Sequence, residues 1–384
     1  MMRTKGLYIH IPFCVKKCDY CDFLSFPWND RAMYIRSLIR EMELRTTWEW
    51  NKKLVGKDTF AVDTIFIGGG TPSVLTVPEM DLVFQGIQDC FCLNELKEFT
   101  IECNPGTVTE EKLRLYRQAG VNRISFGMQS AVDCELKALG RIHTFHEFEL
   151  SYELARSIGF DNINVDVMFA IPGQTKESYE YTLSAVAERE PEHISSYSLI
   201  VEEGTPFFEK YADNPPVDDD TDRFMYERTK EFLAENGYER YEISNYAQKG
   251  KECQHNLKYW RREDYLGLGL GAASFMNHER FSNVRSMKQY IDRITEQSFP
   301  VDEASIEKLS TADERAEFMF LGLRCMKGVS MEDFKRCFGE EMMVCYKEEI
   351  TSCIEQGLLE REGYRLRLTP RGIDVSNRVF SLFL

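Results

Sequence analysis

The chain has 384 residues and a formal net charge of −16, from 47 Lys and Arg against 63 Asp and Glu. Hydrophobic residues make up 43% and charged residues 29%, which excludes disordered, collagenous and low-complexity classes. The acidic balance argues against generic nucleic-acid binding, which needs concentrated Lys and Arg, and no stretch reaches the roughly 20 apolar residues of a membrane span.

Met1–Gly6 leads into a strand without a signal-type apolar core, so a cytoplasmic protein is expected. In that reducing compartment the twelve cysteines are not expected to form disulfides. Gly6–Pro12 reads as a short apolar strand ended by proline. A loop carrying Cys14, Cys18 and Cys21 follows, then a helix over Asp30–Trp50 with Asp30 as N-cap.

A repeating pattern then begins. Strand-like runs are Asp63–Ile67, Phe99–Cys103, Arg123–Phe126, Asn162–Met168 and His193–Ile200, each followed by a helical stretch. Those helices start near Pro78, Thr109, Val132 (with a second from Phe145), Lys176 and Asp222. Gly120, Gly159 and Gly237 fall where glycine ends helices. Ile171–Thr175 reads as a turn with Thr175 as the next N-cap. Strands alternating with helices imply βαβ units and a parallel sheet. The expected fold is α/β: a partial (β/α)6-type barrel over 1–240, whose site lies at the C-terminal ends of its strands.

Ala212–Asp220 is an acidic, proline-rich surface connection, and 241–305 is a mixed extension. Helical stretches at Glu314–Met326, Ser330–Phe338 and Val344–Glu355 precede a hairpin turning at Glu362-Gly363. They predict a small winged-helix-like domain over 306–384. Acidic residues outnumber basic ones in 300–384, which argues against a DNA-binding wing.

Cys14-Val-Lys-Lys-Cys18-Asp-Tyr-Cys21 is the strongest chemical signal. Structural zinc normally takes four protein ligands, and only three are local. A [4Fe–4S] cluster on three cysteines leaves one iron open. That iron can chelate the amino and carboxylate groups of S-adenosylmethionine, and electron transfer to the sulfonium can release a 5′-deoxyadenosyl radical. The alternative is zinc completed by a distant residue, or unliganded thiols.

At this point the chain resembles the radical S-adenosylmethionine superfamily. Tyr8-Ile-His-Ile-Pro-Phe-Cys14 through Cys21-Asp22-Phe23 narrows the resemblance to the branch of the oxygen-independent coproporphyrinogen III oxidases and the HemW-type heme chaperones. The resemblance implies that Gly69, Gly70 and Thr71, in Gly68-Gly-Gly-Thr-Pro72, contact the methionyl end of the ligand, and that Tyr8 touches it too. It implies that Glu102, Gln129, Arg141 and Asp166 also bind S-adenosylmethionine. These four are read as lying at successive strand ends. Carboxylates suit ribose hydroxyls or an ammonium, and Arg suits a carboxylate.

Two departures separate the siblings. The oxidases carry a fourth cysteine two residues after the third, where this chain has Phe23, and they have a longer extension ahead of the cluster, where thirteen residues precede Cys14. His255-Asn-Leu-Lys-Tyr-Trp260 matches the chaperone branch's H-N-x-x-Y-W feature. There the resemblance implies His255 as a heme ligand. The alternative is a packed structural histidine among aromatic core residues. On a helix, His255 and Tyr259 share a face. Cys253 is a second candidate thiolate. The implied activity is heme binding and delivery to heme-accepting proteins, with coproporphyrinogen oxidation as the alternative. The cluster would assist handover or homodimer formation, and any membrane contact would come through a heme recipient.

Overall fold

The computed structural model describes residues 4–27, 30–46 and 60–384. Its main element is a twelve-stranded sheet. Six parallel strands form its centre in chain order: β1 (Lys5–Ile11), β2 (Val62–Gly69), β3 (Glu98–Cys103), β4 (Arg123–Gln129), β5 (Ile163–Phe169) and β6 (His193–Ser198). Strands β1 to β5 are buried along nearly their whole length, as parallel strands covered on both faces must be.

Threonines start the covering helices. Thr76, Thr109, Thr144 and Thr175 each accept the backbone N–H three residues on, before the helices Val77–Cys90, Glu110–Gln118, Phe145–Ser157 and Lys176–Ala187. Gly120, Gly159 and Gly237 follow helix ends at φ of +96°, +96° and +84°, where a Cβ would be costly.

Some local expectations shift. The first helix is Ala32–Arg45, and Arg31 rather than Asp30 stands at its N-cap, without a side-chain capping bond. Residues 47–50 of that expected helix lie outside the described residues. The helix expected from Asp222 starts at Asp219, because Asp218 accepts from the Thr221 N–H and caps it. A short helix, Pro206–Tyr211, has no counterpart in the sequence reading.

The segment after β6 extends the sheet at both sides. Strands β7 (Glu239–Arg240) and β8 (Asn245–Ala247) add antiparallel beyond β6. Strand β9 (Tyr265–Leu268) pairs parallel with β1 on its other side. Strands β10 (Ala273–Met276), β11 (Glu279–Ser282) and β12 (Glu307–Lys308) continue outward from it. The sheet does not close.

A second apolar core, including Met319, Phe334, Ile350 and Leu366, lies in the C-terminal part. There the helices Thr311–Gly322, Met331–Phe338 and Lys347–Glu355 accompany a small sheet. Its strands are β13 (Val329–Ser330), β14 (Leu359–Glu362) and β15 (Arg365–Leu368), with β15 central. Among the described residues no helix is long and apolar enough to cross a membrane.

Candidate functional site

The register of β1 on β2 sets Ile11 beside Gly69, so the cysteine loop leaves the sheet next to the glycine run. Backbone bonds fix the two together: the Gly70 N–H donates to the Ile11 carbonyl at 2.8 Å and the Thr71 N–H to the Phe13 carbonyl at 2.8 Å. A Cβ at Gly70 would lie 2.7 Å from the Phe13 carbonyl oxygen, so any side chain there would push the cysteine loop away. The Gly69 N–H, at φ +111°, donates to Glu102 Oε2 at 3.0 Å. All three N–H groups are therefore engaged by the protein. Here the glycines serve close approach of the two loops more than N–H display.

Cys14, Cys18 and Cys21 line one cleft with Gly69, Gly70, Thr71, Glu102, Gln129, Arg141 and Asp166. Each cysteine is partly exposed and free. Burial, then the neighbouring Cys18 and Cys14, pushes the Cys21 thiol up, against a backbone hydrogen bond from Phe23. Among the described residues no three His, Cys, Asp or Glu are gathered as a single metal ion requires. Three thiolates each holding a separate iron have no such requirement.

Glu102 is set by β3. Burial and then the Asp166 charge push its carboxyl up to about 8, against the pull of the Gly69 N–H. Asp166 is raised as well, by burial. It accepts Asn164 Nδ2 at 2.7 Å. Asp166 sits at the middle of β5 rather than at its end.

Gln129 is the last residue of β4, not a residue beyond it, and has φ +69°. This left-handed backbone costs a side-chain-bearing residue energy. It coincides with a register break between β4 and β5, and Tyr197 Oη donates to Gln129 Oε1 at 3.2 Å. Arg141 lies in the connection between the helices Asp133–Ala138 and Phe145–Ser157, not at a strand end. Its Nη2 donates to the Gly127 carbonyl at 2.7 Å and to Asn104 Oδ1 at 3.0 Å, and its Nη1 lies 3.7 Å from Cys18 Sγ. Its Nε is buried with no partner among the described residues.

Tyr8 stands apart from this group. Strand β1 runs on to Ile11, so Tyr8 is mid-strand, and it lines a separate aromatic cavity. Its hydroxyl bonds His10 Nδ1 at 3.0 Å.

His255 belongs to the helix Gln254–Trp260, where the i, i+4 pair forms as expected: His255 Nε2 meets Tyr259 Oη at 2.8 Å. Nδ1 meets Thr64 Oγ1 at 3.0 Å. The side chain is fully buried, and burial, with Lys258 and Arg123 nearby, lowers it to about 3. Neither ring nitrogen is open to an iron in this conformation. Cys253 is also fully buried, burial raises its thiol to about 12, and its Sγ donates to Glu98 Oε1 at 3.4 Å.

Asn104, directly after β3, is a cleft residue that the sequence does not single out. Asn104 Nδ2 donates to Thr71 Oγ1 at 3.1 Å while its Oδ1 receives Arg141, tying the glycine loop to the arginine. Tyr197 was passed over as well. It lies on β6 and lines the same cleft.

Residues 8–186 match the radical SAM superfamily and 309–375 match the HemN C-terminal domain. The chain is 36% identical to the heme chaperone HemW of Bacillus subtilis, over 99% of each chain. It is 35% identical to that of Lactococcus lactis, over 100% of this chain and 98% of the relative. For the Escherichia coli protein the identity is 34%, over 99% and 98%. The solved radical SAM enzyme coproporphyrinogen III oxidase (HemN) of Escherichia coli matches at a TM-score of 0.86 and 22% identity, over 99% of this chain and 90% of that one. That likeness shows a shared fold.

Proposed function

Because this chain belongs to the radical S-adenosylmethionine superfamily and, within it, to the HemW family, we propose that it binds heme and passes it to heme-accepting proteins. The observation that carries this reading is its end-to-end relatedness to proteins named as heme chaperones. Phe23 in place of a fourth cysteine supports it, as does the HNxxYW helix.

The cleft is read as the seat of a [4Fe–4S] cluster and S-adenosylmethionine. Three cysteines on one wall leave one iron without a protein ligand. The orphaned Arg141 Nε is a donor for an anionic group. Glu102 and Asp166, buried together and both raised, suit an ammonium and ribose hydroxyls, because a cationic partner would let them ionise. With the glycine-loop N–H groups engaged, the methionyl carboxylate falls to Arg141 and the open iron. When bound, the cluster supplies an electron to the sulfonium. The protein's share is to hold the ligand and exclude water.

The test has two arms. Purified protein titrated with heme is expected to give a saturable Soret band and to yield that heme to an apo heme protein. Anaerobic incubation with coproporphyrinogen III, a reductant and S-adenosylmethionine is expected to give no turnover. Protoporphyrinogen in molar excess over the protein would replace the chaperone reading with the oxidase.

A further inference from the structure

A second cavity, of about 290 Å³, has Tyr8 in its wall, while Glu102, whose charge acts on the Tyr8 hydroxyl, lines the cysteine cleft. Its walls are aromatic: Tyr8 from β1, Tyr265 from β9, Phe275 from β10, and Tyr259 and Trp260 from the HNxxYW helix. Tyr259 packs edge-on against Tyr265 with ring centres 4.6 Å apart. Leu321, from the helix Thr311–Gly322, borders the cavity from the C-terminal unit.

Two donors in this wall lack acceptors. Trp260 Nε1 and Arg262 Nη2 are buried without a hydrogen bond among the described residues. The Arg262 side chain is 10% exposed, and its Nη2 lies 3.9 Å from the Glu314 carboxylate, while its Nε donates to Glu317 at 2.9 Å. Arg262 also holds a left-handed backbone, φ +54°. Arg280, also in this wall, donates to Glu317 at 2.7 Å, so the two guanidinium groups share that carboxylate. A buried donor without an acceptor is costly, and two beside an apolar cavity suit a ligand that brings its own anionic oxygen atoms. Flat aromatic walls suit a flat conjugated body.

Resting on the heme reading above, we infer that this cavity is where heme docks. The aromatic side chains take one edge of the macrocycle, and Trp260 Nε1 and Arg262 Nη2 receive a propionate. The cavity is smaller than the whole macrocycle, so the opposite edge stays outside, where an acceptor protein can reach it. The site lies beside the cysteine cleft and does not use it.

Full-length protein with its cluster reconstituted is titrated anaerobically with hemin and with hemin dimethyl ester, whose propionates are capped. Soret absorbance gives affinity. Ala273→Trp and Leu321→Trp fill the cavity from two separate elements, and Ala273 is exposed at the start of β10, so the added ring there disturbs little packing. Both variants are expected to lose at least about tenfold in hemin affinity, with S-adenosylmethionine binding and the iron spectrum unchanged. Arg262→Gln is expected to shrink the preference of the chain for hemin over its ester. Wild-type hemin affinity in Ala273→Trp, or equal affinity of the unaltered chain for acid and ester, would overturn the docking site and leave the heme reading standing. Absence of hemin binding by the unaltered chain would overturn the heme reading itself.

Discussion

The cysteine cleft and the His255 side chain rest against neighbouring strands of one sheet, and their polar groups are handled in opposite ways. In the cleft, Arg141 Nε has no hydrogen-bond partner among the described residues, and Glu102 and Asp166 are both raised by burial, Glu102 also by the Asp166 charge. Around His255, Thr64 and Tyr259 take both ring nitrogens. Below them Glu98 receives the Gln254 and His255 N–H groups at 2.8 and 3.0 Å and so caps the helix. The first arrangement is incomplete without a ligand. The second is complete without one. Incompleteness, rather than the presence of a reactive residue type, separates the binding site from its scaffold.

Replacing Cys18 by Ser should have the largest effect. It is expected to abolish the iron content and the broad absorbance near about 400 nm, measured after anaerobic reconstitution. Retained iron at the unaltered level would erase the distinction between cleft and scaffold.

His255→Ala comes next. It strips partners from Thr64 and Tyr259 and leaves a hole beside Phe66, so a loss of about 3 kcal/mol in denaturant unfolding is expected. The wild-type contribution also has a pH sign. A histidine near 6.5 when unfolded and about 3 when folded contributes stability above 6.5 that is lost as pH falls toward 3. If His255→Ala instead keeps full stability and changes only the heme spectrum, His255 belongs with the binding site.

Glu102→Gln sharpens the comparison through pH. Its carboxyl ionises near 4.5 unfolded and about 8 folded. Its contribution is therefore present below 4.5 and lost as pH rises through 8. In ligand-free protein the melting temperature of Glu102→Gln should gain on the unaltered chain across that window, while its affinity for S-adenosylmethionine falls. Parallel melting curves at all pH values would mean that Glu102 is already compensated.

Cys253→Ala should do least. The thiol is buried, and burial raises it to about 12, so about 1 kcal/mol of packing is expected to go, with iron content and heme binding unchanged.

Much of this arrangement was legible in the sequence because it rests on local chemistry. The spacing of Cys14, Cys18 and Cys21 and the strand–helix alternation are short-range patterns. So were the helix-ending glycines at 120, 159 and 237. Positions that depend on register were less legible. Tyr8 lies in mid-strand because β1 continues to Ile11, and nothing within Gly6–Pro12 marks which residue meets Gly69. Asp218 displaced Asp222 as a helix start because three successive acidic residues compete for one cap. The cavity beside Tyr8 joins side chains more than 300 positions apart, from Tyr8 to Leu321, and no local period reports such a meeting. His255 was visible as a motif member, but its two hydrogen bonds come from β2 and from its own helix, and only the packed structure reveals that both are made.

The open sheet has a consequence for how this protein keeps to itself. A closed barrel has no edges, whereas this sheet ends in β12 on one side and β7 on the other. Unpaired strand edges invite stacking of one chain on the next. Here each terminal strand is two residues long, Glu307-Lys308 and Glu239-Arg240, and all four side chains are charged. A strand that short and that charged gives an incoming backbone almost nothing to zip onto. The chain can thus leave its sheet open without recruiting other copies edge to edge into fibrils.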